Sequence, residues 1–302
     1  MKIAIVGSGA IGCYYGARLL VSGEDVRFLM RSDLGTVREK GLQIRSPDGD
    51  LNLTQVPAYG TTSEIGLADL VLVTLKTTSN DALKTLIPPL LGRQTILLTL
   101  QNGLGNEEFL AEHFEPEHVT GGLCFVCLTR TAPGFIEHYG HGRIAIGEMS
   151  GPPSDRVRDI VARFSKAGID CHAVDDLPLA RWRKLVWNIP FNGLSIAAGK
   201  ATVEDLLADR YLRIEVGEIM REVISLANAL GHPLSAGKIV DPEIARSENM
   251  GPYRPSSLID FERGLPVEVE SIWGEPVRLA RKIGHPVPRI ELLYALLRRL
   301  AA

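Results

Sequence analysis

Cysteine is the first thing this chain lacks in quantity: 302 residues carry four, Cys13, Cys124, Cys127 and Cys171. That excludes a disulfide-stapled secreted scaffold and makes a reducing, cytoplasmic setting the expectation. Cys124 and Cys127 have CxxC spacing, but no second cysteine or histidine pair completes a metal set. Their surroundings are apolar, so a packed strand is expected there and no metal site. Charge of one sign is missing too: 33 basic against 36 acidic side chains leaves a net −3, which gives no electrostatic reason to expect nucleic acid or an anionic membrane as partner. No apolar run approaches the roughly 20 residues of a membrane span, and glycines interrupt the apolar start at once, so Ile3–Val6 reads as a strand rather than an export signal. Glycine and proline are not in excess at 30 and 18 residues, and 45% of the chain is hydrophobic. The composition therefore belongs to a globular protein, and its length favours two domains over one.

The pattern along the chain begins strand, helix, strand: Ile3–Val6, Ile11–Ser22 and Asp25–Met30. Leu70–Leu75 and Thr95–Leu100 are apolar without alternation, as parallel strands covered on both faces are. Helices are expected over Asn80–Leu91 and Asn106–His113, further strands over Val119–Leu128, Phe135–His138 and Arg143–Gly147, and a helix over Ser154–Ala167. These alternations predict an α/β chain, with a Rossmann-type open, mostly parallel sheet over residues 1–170. From Leu179 the spacing turns helical, at Trp182–Asn192, Val203–Leu207, Tyr211–Leu230, Pro242–Asn249, Ser256–Glu262 and Val267–Ile283. A mainly α-helical substrate domain is therefore expected over 171–302. Its apolar helices suit a homodimer interface and suit an intramolecular core equally well.

Gly7-Ser8-Gly9-Ala10-Ile11-Gly12 is a GxGxxG turn between a strand and a helix, the setting in which backbone N–H groups take a dinucleotide pyrophosphate. Arg31 follows the next strand. A guanidinium there suits the extra phosphate of NADP, so NADPH/NADP+ is expected over NAD; the competing reading is a solvated arginine paired with Asp33. Lys76 and Asn102 stand at later strand ends, on the rim where such sheets bind ligands. In the second half Lys184, Asn188 and Asn192 recur every four residues, so one helical face would carry all three if Pro190 leaves the helix intact. A structural hydrogen-bond network remains the alternative to a ligand wall. Ser256 lies among small polar residues, and Glu268 and Glu270, two apart, would face different sectors of a helix.

The order of these pieces resembles the ketopantoate reductase family over nearly the whole chain. The resemblance rests on Gly7–Gly12, Thr74-Leu75-Lys76, Leu100-Gln101-Asn102-Gly103, Trp182–Leu185 with Asn188 and Asn192, and Ser256–Asp260 leading to Val267–Glu270. It implies NADPH-dependent reduction of 2-dehydropantoate to pantoate, a step toward coenzyme A, with Lys184 as the acid. It further implies that Asn102 and Lys76 organise cofactor and substrate, and that Asn188, Asn192, Ser256 and Glu268 bind or orient the small 2-keto acid. Arg31 matches the phosphate-recognition position. The chain departs from the family pattern at Ser79, where glutamine is frequent, and at Val267, where threonine often precedes the glutamate. Those departures bear on which acid is reduced. A reductase for another branched 2-keto acid and a non-catalytic NADP(H)-responsive binding protein are the alternatives.

Overall fold

Runs of valine, isoleucine and leucine too short for helices, bounded by glycine or polar turns, form the central strands of the first unit, and longer or more polar segments form the others. In the computed structural model, which describes Met1–Ala301, these are β1 (Lys2–Val6), β2 (Asp25–Leu29), β3 (Leu42–Arg45), β4 (Leu51–Leu53), β5 (Ala58–Tyr59), β6 (Leu70–Val73), β7 (Ile96–Thr99), β8 (Val119–Ala132), β9 (Phe135–Glu148) and β10 (Cys171–Ala173). They make one sheet in the order β4-β3-β9-β8-β7-β6-β1-β2-β5, with β10 beside β9. Pairing is parallel from β5 through β8 and antiparallel at β8–β9 and β3–β4. Alternate residues explain why the central strands read as continuously apolar. Ile3, Ile5, Leu70 and Leu72 enter one core, while Ala4, Val6, Val71 and Val73 enter another, so both faces are covered and only Lys2, at the start of β1, is half-buried.

Several expectations needed correction. Phe135–His138 and Arg143–Gly147 are one strand, because Gly140, His141 and Gly142 carry the polar interruption through positive φ and register shifts in β8 absorb the irregularity. The helix expected over Asn80–Leu91 ends at Leu86, and Pro88–Leu90 forms a 3-10 turn. β3, β4 and β5 and the helix Leu34–Lys40 had no clear signal; each is short. The chain divides after Leu177 rather than at residue 170, since β10 pairs with β9 in the first unit's sheet.

The second unit takes Pro178 onward together with Asn102–Gly105. Its helices are Leu177–Ala197, Val203–Ala208, Arg210–Ala229, Ala236–Glu248, Ser256–Glu262, Glu275–Ile283 and Pro288–Leu300. Caps start two of them: Thr202 and Asp205 form a capping box, and the Asp209 carboxylate accepts from Tyr211 N and Leu212 N. Their apolar stripes meet in a core that includes Trp182, Val186, Ile189, Met220, Val223 and Trp273. Val267–Ile283 is not the single helix expected. A π-helical turn, Glu270–Gly274, precedes the α-helix, and such turns are frequent at functional sites. No helix among the described residues is long and apolar enough to cross a membrane.

Burial pushes the thiols of Cys13 and Cys171 up to about 12, and Cys124 and Cys127 lie in β8 outside any disulfide. A second buried titratable group affects stability. His138 packs on Tyr14, with ring centroids 4.5 Å apart, and its Nδ1 lies 2.8 Å from Ser46 Oγ. Burial lowers its pKa from 6.5, against the opposing pull of the Gly140 backbone and the Asp48 carboxylate. The folded state thus holds His138 neutral where the unfolded chain takes a proton. Its contribution is complete above the unfolded value and is lost as pH falls through about 6.5 toward the lower folded value. The melting temperature of the wild type should fall between pH 7 and about 5, a window above most carboxylate titration. That slope should flatten in His138→Gln; equal slopes would remove His138 as the cause.

Candidate functional site

The turn after β1 divides its glycines between folding and access. Gly7 has φ +112, and a Cβ there would lie 2.3 Å from Leu75 N. One at Gly12 would lie 2.4 Å from Gly7 O. Both are therefore required by the protein's own packing. A Cβ on Gly9 would meet nothing within 4 Å. The helix Ala10–Val21 begins there with no side-chain cap and no acidic residue in its first turn, so the N–H groups of its first turn are served by no side chain and its positive end is unopposed. That open cradle fits a pyrophosphate. Ser8 contributes through its backbone, because its hydroxyl donates to Leu29 O at 2.8 Å; Ala10 and Ile11 are half-buried at the helix start.

Arg31 is exposed, two residues past β2. The competing pairing with Asp33 is absent, since Asp33 Oδ1 accepts from Arg130 Nη1 at 2.6 Å instead. Lys76 is exposed at the turn after β6, and Ser79 directly precedes the helix Asn80–Leu86. Sequence reasoning included Gln101 in the strand-end motif but gave it no role of its own. It is buried, and its Nε2 donates to Leu75 O at 2.8 Å and Asn80 Oδ1 at 2.7 Å, bracing the loops after β6 and β7. Its place between β7 and Asn102 was the available signal.

In the second unit Leu177–Ala197 stays helical through Pro190, so Lys184, Asn188 and Asn192 share a face as their spacing predicts. Asn102, although it follows β7 in sequence, belongs to this unit, and Lys184 Nζ donates to its Oδ1 at 2.8 Å. The segment is held by a close backbone approach. Leu104 N donates to Ser271 O at 2.9 Å, and at Gly103, with φ +84, a Cβ would lie 2.4 Å from that same oxygen. Asn192 is buried, and its Oδ1 accepts from Ser257 N at 3.0 Å and Ser256 Oγ at 3.5 Å, which ties Ser256 and its helix to the lysine helix. Asn188 is half-buried.

The two glutamates occupy different settings. Glu268 is 6% exposed. Glu270 is exposed, with Arg278 Nη1 2.7 Å and Tyr294 OH 2.9 Å from its Oε2. Burial would raise its pKa, but the hydrogen bonds from Arg278 and Tyr294 outweigh it and hold the carboxyl below the usual range.

Family models described as ketopantoate reductase PanE/ApbA and its C-terminal part match residues 3–151 and 176–301. The chain belongs to the ketopantoate reductase family. A 2-dehydropantoate 2-reductase of a Nostoc species is 42% identical, over 97% of this chain and 93% of its own length. A crystal structure of the Geobacter metallireducens 2-dehydropantoate 2-reductase superposes with a TM-score of 0.96 at 46% identity, covering 99% of each chain. A D-mandelate dehydrogenase solved with NADH has a TM-score of 0.90 at 23% identity, covering 100% of this chain and 98% of its own, a likeness of fold alone. As in the Geobacter metallireducens oxidoreductase, the architecture is a Rossmann-like sheet with a second helical domain.

The glycine geometry separates binding from folding. Gly9→Val should fold with a near-native melting temperature yet lose dinucleotide affinity by at least about tenfold, because its side chain enters the phosphate approach. Gly7→Val and Gly12→Val should fail by misfolding. Calorimetric titration alongside thermal melts reads both, and unchanged affinity in a folded Gly9→Val would remove the turn from the cofactor site.

Proposed function

We propose that the protein reduces 2-dehydropantoate to pantoate with NADPH. The observation that carries this reading is the hydrogen bond from Lys184 Nζ to Asn102 Oδ1 at 2.8 Å. Carbonyl reduction adds a hydride to carbon and a proton to oxygen, and bound NADPH supplies the hydride. The chain must then hold a proton donor at the developing alkoxide. Lys184 fills that role: an ammonium has three N–H donors, and Asn102 accepts one of them and so aims the group. Asn102 is in turn fixed by the approach of Gly103 to Ser271. Asn188 meets the acid's polar groups, with Ser256 and Asn192 on the same side of the second unit and the Glu268 carboxylate facing the substrate hydroxyl. In the first unit the Gly7–Gly12 turn takes the pyrophosphate, Arg31 the ribose 2′-phosphate and Lys76 the cofactor ribose.

A different small branched 2-keto acid is the second reading, favoured by Ser79 in place of the frequent glutamine. A side chain that short shifts substrate preference without altering hydride delivery. Purified protein should oxidise NADPH only when a 2-keto acid is present, with kcat/KM highest for 2-dehydropantoate against 2-ketoisovalerate and its longer homologues. No oxidation across that panel would end the enzyme assignment.

Lys184→Ala should lower kcat by about 10²- to 10⁴-fold while leaving the Kd for NADPH unchanged; an equal loss of cofactor affinity would move Lys184 out of the acid role. Glu268→Gln should weaken turnover or substrate KM, and Glu270→Gln should have little effect because its partners are Arg278 and Tyr294. The reverse pattern would exchange their roles. Arg31→Ala should raise the Kd for NADPH about 10- to 100-fold with little change for NADH.

A further inference from the structure

Dinucleotide domains that use NAD place an acidic side chain about 20 residues beyond the glycine turn, where it accepts from the ribose hydroxyls. This chain has such a residue at that spacing, Asp33, in the turn that carries Arg31. Left ionised and open to the ribose, its carboxylate would favour NADH and repel a 2′-phosphate. The fold instead consumes it. Asp33 is 5% exposed. Its Oδ1 accepts from Ser32 Oγ at 2.8 Å and from Arg130 Nη1 at 2.6 Å, and its Oδ2 from Gly134 N at 3.2 Å. Although Asp33 is the N-cap of the helix Leu34–Lys40, its side chain does not cap that helix. Arg130 reaches it from the far end of β8, close to the β8–β9 turn, and Gly134 in that turn accepts from Gln43 N at 2.9 Å, so the hairpin tip that supplies the cation is anchored to β3.

The pair also lies beside the glycine turn. Cys13, in the first turns of the nucleotide helix, donates from Sγ to Ser8 O at 3.3 Å. After burial, its thiol feels Asp33 and Arg130 with opposite sign. Ser8 Oγ donates to Leu29 O at 2.8 Å, so the glycine turn is seated on the end of β2, shortly before Asp33.

We propose that Arg130 is a positioning residue for cofactor choice: by neutralising the buried Asp33 carboxylate it withholds the ribose-diol acceptor from NADH and keeps the Arg31 turn receptive to a 2′-phosphate. This rests on the NADPH reading above. Arg130 acts through Asp33, so removing the cation exposes the carboxylate's charge, and removing both charges restores the wild-type balance.

Calorimetric titration with adenosine 2′,5′-bisphosphate and adenosine 5′-monophosphate tests this without turnover, since only the first carries the 2′-phosphate. Wild-type protein should prefer the bisphosphate. Arg130→Ala should shrink that preference about tenfold, Arg130→Lys should retain most of it, and the double variant Asp33→Asn/Arg130→Ala should recover it. A merely structural ion pair would weaken both ligands alike in Arg130→Ala and leave the preference unchanged. A folded Arg130→Ala with the wild-type preference, or a double variant no better than Arg130→Ala, overturns the inference. Should Arg130→Ala fail to fold, Asp33→Asn decides: a preference kept or widened supports the masking role, and a collapsed one overturns it. Wild-type protein indifferent to the 2′-phosphate overturns the NADPH reading and this inference together, whereas a preference abolished by Arg31→Ala and untouched by Arg130→Ala overturns this inference alone.

Discussion

The candidate chemistry depends on one close backbone approach. Gly103 meets Ser271 O at a distance that no side chain permits, and Leu104 N bonds to that oxygen. The four residues Asn102–Gly105 therefore group with the helical unit although the strand before them belongs to the sheet. Asn102 thereby meets Lys184 within the helical unit, and the lysine is aimed by an acceptor whose neighbouring residues bond to the π-helical turn Glu270–Gly274. Within that π turn one carbonyl, Ser271 O, accepts from Leu104 N and docks the Asn102 segment.

The first unit solves a different problem with the same economy of contacts. Its sheet buries both faces, which leaves ligand binding to the loops after the strands. Gly7 and Gly12 close those loops against the protein, and Gly9 keeps the helix start open. Around it, polar side chains hold one another: Thr74 Oγ1 donates to Gly7 O, Gln101 joins the loops after β6 and β7, and Asp33 joins β2 to the β8–β9 hairpin. A buried carboxylate is tolerated there because it has three donors, one of them cationic.

Local patterns made much of this legible. The GxGxxG turn, the apolar parallel strands and the four-residue spacing of Lys184, Asn188 and Asn192 all depend on neighbours along the chain, so periodicity reports them directly. Short edge strands such as β4 and β5 did not announce themselves, because two or three residues carry too little pattern to stand out. The long β9 was divided by its glycines, which locally resemble a turn until a partner strand fixes their register.

Sequence alone therefore determined the order of the two units, the nucleotide turn, the polar face of the lysine helix and the family. It could not assign Asn102 to the helical unit, separate buried Glu268 from surface-paired Glu270, or reveal that Asp33 is spent on Arg130. Those outcomes join residues far apart in the chain, as in the Asp33–Arg130 and Lys184–Asn102 hydrogen bonds. Only tertiary packing decided them, because a side chain's available partner depends on which distant backbone comes close enough to displace water.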